Sequence, residues 1–150
     1  MSSTSHAVWL NGRLIESGQA TLHFLTPALH YGVGVFEGIR SYATDEGTAI
    51  FRLDEHIARL MRSAAILGFR SLPYSADEIA DATIETVRAS GLGDLYIRPL
   101  VYLAEGGWNL DLDGGRPHVG IAVWEWNAYL GDTARHHGVR ANVSSFTRLH

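Results

Sequence analysis

Phe36, Gly38 and Arg40 alternate with Glu37 and Ile39 in the run Leu29–Arg40 (LHYGVGVFEGIR), and Tyr96 and Arg98 repeat the same two-residue spacing later in the chain. In a strand successive side chains point to opposite faces, so Phe36, Gly38 and Arg40 share one side and Glu37 and Ile39 take the other. A face reading aromatic ring, bare backbone, guanidinium makes a poor core, because glycine leaves a gap and a buried arginine needs a partner. It suits a small ligand lying against the sheet, with an apolar wall, room for close approach and a cation for an anionic group. If the strand carrying Tyr96 and Arg98 joins the same sheet with the same face outward, two guanidinium groups, a phenol and a phenyl ring converge. Such a pocket would clamp a carboxylate by a bidentate contact and offer apolar surface to an aliphatic side chain. The spacing is met equally by a bulge glycine between a core Phe and a surface Arg, and by arginines that cover sheet edges or pair with nearby acids.

Other chemistries fare worse. Gly32-x-Gly34-x-x-x-Gly38 has the wrong spacing for a dinucleotide fingerprint, and it precedes a strand where that motif should follow one and open a helix. Eight histidines invite a metal, yet none lie three or four apart on a helix beside a carboxylate, His136 and His137 point different ways, and His56 at a helix start reads as surface, so no metal is expected. No G-x-S-x-G elbow is present, and Ser144-Ser145 lacks an evident base. Cysteine is absent, which removes disulfides and thiolate chemistry and favours a cytoplasmic setting. All twelve Lys+Arg residues are arginines, so no Schiff base can form on a lysine of this chain. A net charge of −4 argues against general attraction to nucleic acid or an anionic membrane. No run reaches the roughly 18 apolar residues of a membrane span, and MSSTSHAVWL has neither the basic start nor the apolar run of a signal peptide.

The elements that would position these residues read clearly. Asn11-Gly12 between Val8-Trp9-Leu10 and Arg13-Leu14-Ile15 signals a hairpin. Residues 19–34 read as a connection with one helical turn, Val35–Tyr42 as a strand, Thr44–Gly47 as a turn and Thr48–Leu53 as the returning strand. Asp54 is the expected N-cap of a helix over 55–67, with Ile57, Leu60, Met61, Ala64 and Leu67 on one stripe and Gly68 after it. Arg59 falls off that stripe, near Arg62 and Glu55, as a solvated face would. Ser75-Ala76-Asp77-Glu78 is a capping box opening a second amphipathic helix through Ile79, Thr83 and Val87 that ends near Gly91. Leu95–Ala104 reads as a long strand in which Pro99 implies an edge position or a bulge, and His118–Trp126 as a central strand. An irregular loop lies between them, marked by Gly106-Gly107 and Asp113-Gly114-Gly115. The fold class expected is α+β, an antiparallel or mixed sheet with two helices packed on one face. After a linker over 127–137, Val139, Ala141 and Val143 alternate with polar neighbours, as in the first strand of a further domain.

Together LHYGVGVFEGIR, FRLDEHIARL, Tyr96-Ile97-Arg98-Pro99 and Trp126-Asn127-Ala128-Tyr129-Leu130-Gly131 resemble the branched-chain amino-acid aminotransferases, class IV enzymes of fold type IV that use pyridoxal 5′-phosphate (PLP). The likeness runs through the whole chain in order. It implies a small N-terminal domain over 1–126, an interdomain linker over 127–137 and the first strand of a PLP-binding domain over 138–150. By the same resemblance Tyr31, Phe36, Gly38, Arg40, Tyr96, Arg98, Trp126 and Tyr129 are substrate-binding, Arg98 taking the distal carboxylate of glutamate and the aromatic residues enclosing a branched side chain. Arg59 would contact the PLP phosphate, Tyr31 would reach the pocket of a neighbouring subunit in a homodimer or higher oligomer, and Trp108 and Asn109 would lie on a loop nearing the partner's site. The Schiff-base lysine of the family falls after the last residue of this sequence, so the chain alone is expected to be inactive. Two alternatives accompany this reading: a D-amino-acid transaminase or aminodeoxychorismate lyase relative, against which the Tyr96–Pro99 strand speaks, and a stand-alone, non-catalytic binding or dimerisation module.

Overall fold

Asn11 and Gly12 both adopt positive φ, 47° and 89°, and turn β1 (Ala7–Leu10) back onto β2 (Arg13–Glu16), as a two-residue hairpin with right-handed strand twist requires. The computed structural model describes residues 7–106, 114–125 and 137–147. After a short connection and helix α1 (Pro27–Tyr31) come β3 (Gly34–Phe36), β4 (Ile39–Thr44) and β5 (Gly47–Ile50). Helices α2 (Leu53–Leu67) and α3 (Ala76–Ser90) follow, then the long strands β6 (Leu95–Glu105) and β7 (Arg116–Glu125). The strands form one sheet in the order β2-β1-β7-β6-β4-β5, with β3 also pairing with β6, and every pairing is antiparallel. The expected α+β architecture is what forms.

Both long helices pack on one face of this sheet. Fully buried Ile39, Ile97, Leu95, Val101, Val119 and Ile121 line that face against Ile57 and Leu60 of α2 and Ile79 of α3. Ile97 sits in the middle of this layer with no exposed surface. Ile97→Ala should therefore lower stability by about 3 kcal/mol, read as a reduced denaturant midpoint at unchanged slope.

Two local expectations are corrected, and a third segment finds no partner strand among the described residues. The strand expected over Val35–Tyr42 is divided into β3 and β4, although its register on β6 continues across the division, Phe36 opposite Leu100 and Ile39 opposite Ile97. The cause is Pro99. The Glu37 amide donates to the Pro99 carbonyl at 3.0 Å, but proline has no N–H to return, so the ladder loses one bond at that pair. Pro99 is thus neither at an edge nor in a bulge: it lies in an interior strand with its bare nitrogen toward the interruption, and its pairing with Ile121 of β7 is kept. The bulge in the β6–β7 ladder falls at Leu103/Glu105 instead.

Second, Asp54 does not cap α2. The helix starts at Leu53 from Arg52, which holds a left-handed conformation (φ 49°, ψ 46°) because only Phe51 and Arg52 separate β5 from α2. Asp54 and Glu55 lie in the first turn, where the helix dipole favours acids. The capping box at Ser75 and Glu78 forms as expected. Third, the residues expected as a strand over 138–146 form no ladder among the described residues, and Val143 and Phe146 are 101% and 90% exposed. A strand exists only through a neighbour's hydrogen bonds, and the described residues offer this segment none.

Candidate active site

The face of the sheet turned away from the long helices carries the predicted cluster. Register places Arg40, Tyr96 and Trp124 side by side across β4, β6 and β7. Arg98 stands two residues along β6 on the same side, and Phe36 comes from β3. The Arg98 guanidinium carbon lies 4.2 Å from the centre of the Phe36 ring, 5.1 Å from that of Tyr96 and 5.8 Å from that of Trp124, within cation–π range of all three. Its Nη2 donates to the Tyr96 hydroxyl at 2.8 Å. Tyr96 in turn packs on Trp124, ring centres 4.8 Å apart and inclined by 35°. Arg40 lies over Tyr42 at 5.6 Å.

Gly38 is required by space rather than by backbone angle. A methyl group there would collide with the Tyr96 hydroxyl and come within 3.1 Å of Cζ. Beside Arg98 an apolar hollow of about 170 Å³ is lined by Leu10, Leu22, Leu100 and Ala122 among others. The Nε–H groups of both Arg40 and Arg98 are buried and find no acceptor among the described residues. An unmet buried donor costs about 1–3 kcal/mol, and a guanidinium cannot shed its proton to escape that cost. Two guanidinium groups on one face, beside an apolar hollow, suit a ligand with a carboxylate and an aliphatic portion.

On the opposite side of the same strand, Glu37 is 4% exposed and faces α2. Its carboxylate accepts from Arg59 Nε and Nη2, both at 2.5 Å, and lies 2.9 Å from His56 Nδ1. The Arg59 guanidinium holds the Glu37 carboxyl below its ordinary value of 4.5, against the opposing effect of burial and with lesser help from His56. A carboxyl whose folded value is depressed stabilises the fold fully above its unfolded value, and that contribution is lost as pH falls through the folded one. Glu37→Gln should accordingly be less stable than the parent near neutral pH, with the difference narrowing as pH drops below 4.5. Melting temperature followed against pH for both proteins checks this.

The structure thus brings Phe36, Gly38, Arg40, Tyr96 and Arg98 together. It puts Tyr31 on α1, 43% exposed, rather than on the sheet, and ties Arg59 to Glu37 on the helical side. Trp126, Tyr129, Trp108 and Asn109 lie outside the described residues. Sequence reasoning misses two residues. Trp124 pairs directly with Tyr96 across the β6–β7 ladder, a relation that only the register supplies. Glu37 receives only a side from the alternation, since its partners on α2 are distant in sequence. Among the described residues no three His, Asp or Glu side chains gather as a metal would need.

Known proteins resemble this chain over most or all of its length. Residues 34–150 match the family described as amino-transferase class IV. The chain is 47% identical over 150 residues to the branched-chain-amino-acid aminotransferase of Pseudomonas aeruginosa, covering 100% of this chain and 48% of that protein. The crystal structure of the Escherichia coli branched-chain amino acid aminotransferase superposes with a TM-score of 0.91 at 38% identity, covering 97% of this chain and 48% of the other. The branched-chain amino acid aminotransferase of Thermobaculum terrenum in its PLP-form superposes at 0.71 with 33% identity, over 84% of this chain and 42% of that one. The chain spans about half the length of the relatives it matches.

Proposed function

This chain belongs to the class IV amino-transferase family, and from that premise we propose that the whole protein is a PLP-dependent branched-chain amino-acid transaminase. It moves the amino group of L-leucine, L-isoleucine or L-valine to 2-oxoglutarate, giving the 2-oxo acid and L-glutamate. The observation that carries this reading is the aromatic-walled Arg98 beside an apolar hollow. Arg98 takes the distal carboxylate of glutamate or 2-oxoglutarate. The hollow and the Phe36 ring receive a branched side chain, with Trp126 and Tyr129 completing the enclosure. One site then serves both donors by offering a cation and an apolar wall side by side.

PLP, when bound, supplies the electron sink and carries the amino group. Of the groups that hold it, this chain offers Arg59. The Glu37 carboxylate occupies the Nε/Nη2 edge of that guanidinium, which leaves the Nη1 end for a phosphate oxygen. The anchoring lysine must come from elsewhere in the whole protein, since these 150 residues contain none. The chain alone is accordingly expected to be inactive. Residues 1–126 form the small N-terminal domain, 127–137 the linker and 138–150 the start of the PLP-binding domain, whose sheet supplies the ladder that Val139–Phe146 lacks here. Phe24, Leu25, Leu29 and Tyr31, all exposed, offer apolar surface at which a second copy docks, making a cytoplasmic homodimer or higher oligomer in which Tyr31 reaches the partner's pocket. No helix among the described residues is long and apolar enough to cross a membrane.

The test is an assay of the purified full-length protein with PLP, following glutamate formed from L-leucine and 2-oxoglutarate. Comparable turnover of leucine, isoleucine and valine supports the proposal. Turnover confined to D-alanine, or no transamination of any of these, overturns it.

A further inference from the structure

Among the described residues, rings rather than acids place the Arg98 guanidinium. Phe36 covers it directly, and the Tyr96 hydroxyl fixes its Nη2. The Tyr96 ring, in turn, is bounded on one side by Gly38, where a methyl would strike the hydroxyl, and packs on Trp124 at 4.8 Å. Trp124 is the direct cross-strand partner of Tyr96, so its ring limits how far the phenol can tilt toward β7. Resting on the branched-chain transaminase reading, we infer that Trp124 is a positioning residue: through Tyr96 it sets where the Arg98 guanidinium sits, and so how well an acidic side chain is accepted relative to an aliphatic one.

The physical reason is a difference between the two ligands. A carboxylate needs the guanidinium at a fixed distance and plane for paired N–H···O contacts, so a tilted Tyr96 that drags Nη2 with it weakens acid binding steeply. An aliphatic side chain asks only for apolar surface and tolerates the same displacement. Trp124 also contributes its own ring face to the cation at 5.8 Å, helping the charge remain in place while an uncharged side chain fills the hollow.

The experiment uses the full-length holoenzyme and measures single-turnover amino-donor reactions with L-glutamate and L-leucine separately, from the change in cofactor absorbance. In Trp124→Leu the glutamate-to-leucine ratio of specificity constants should fall about tenfold, the size of a lost ring contact plus a misplaced donor. Trp124→Phe, which keeps a flat ring against Tyr96, should restore most of the ratio. A proportional loss with both donors would mean that Trp124 only supports the fold, and an unchanged ratio would mean that it does not position Arg98; either result overturns the inference. Should Trp124→Leu fail to fold, Trp124→Met decides instead: it removes the flat ring against Tyr96 with less loss of volume and must lower the ratio in the same direction, and an unchanged ratio overturns the inference. A parent enzyme that transaminates neither donor would sink the functional proposal itself, an outcome separate from these.

Discussion

Arg98→Met in the full-length protein is expected to lower kcat/KM for glutamate by about 30- to 1000-fold while lowering that for leucine by only about threefold, the former corresponding to about 2–4 kcal/mol for a charge-assisted carboxylate contact. Methionine has nearly the reach of arginine and presents an apolar surface to Phe36 and Trp124, so the hollow beside it persists. On the proposed transaminase reading, only the partner of the distal carboxylate is removed. The asymmetry between donors is the diagnostic feature, and steady-state kinetics with each donor in turn reads it. Equal losses with both donors would show that Arg98 serves the architecture rather than the acidic substrate.

The second large effect is expected at Gly38. Gly38→Ala places a methyl against the Tyr96 hydroxyl, and Tyr96 has little freedom to withdraw, being packed on Trp124 and bonded to Arg98. The phenol must swing, and Arg98 must follow it or lose its acceptor. A displacement of the order of 1 Å in a positioned group can reduce turnover about 100-fold, and the crowding itself should cost about 1–3 kcal/mol of stability. The cause can be separated from general damage by a double substitution. Gly38→Ala combined with Tyr96→Phe removes the oxygen that the methyl meets, so the pair should recover part of both the activity and the melting temperature lost by Gly38→Ala alone. A double variant no better than the single one would place the fault elsewhere.

Much of this site is legible in the sequence because the period of a strand is two. Phe36, Gly38 and Arg40 fall on one face, and Tyr96 and Arg98 on one face, before any pairing is known. What alternation alone leaves open is whether those two faces are the same, and the β4–β6 register with Arg40 opposite Tyr96 answers that. Trp124 escapes because the strand reads as apolar on both sides, which hides parity. The division of β3 from β4 escapes because its cause, the absent amide of Pro99, sits on another strand. Arg59 reads as solvated for a related reason: it is 58% exposed, yet its partner is a buried acid from a distant segment, and a helical stripe says nothing about such partners. The hairpin at Asn11-Gly12 and the capping box at Ser75 are readable because both are local devices, complete within four residues.

Glu37 and Gly38 are adjacent in the chain and serve opposite sides of the sheet, one reaching to α2 and the other making room for Tyr96. A one-codon deletion or insertion between Phe36 and Arg40 would therefore exchange both sides together, aiming a carboxylate at the face that carries Arg98 and a guanidinium at the helices. Natural length variation in descendants of this gene should be excluded from that short stretch and tolerated at the nearby Thr44–Gly47 hairpin tip, where no parity is at stake.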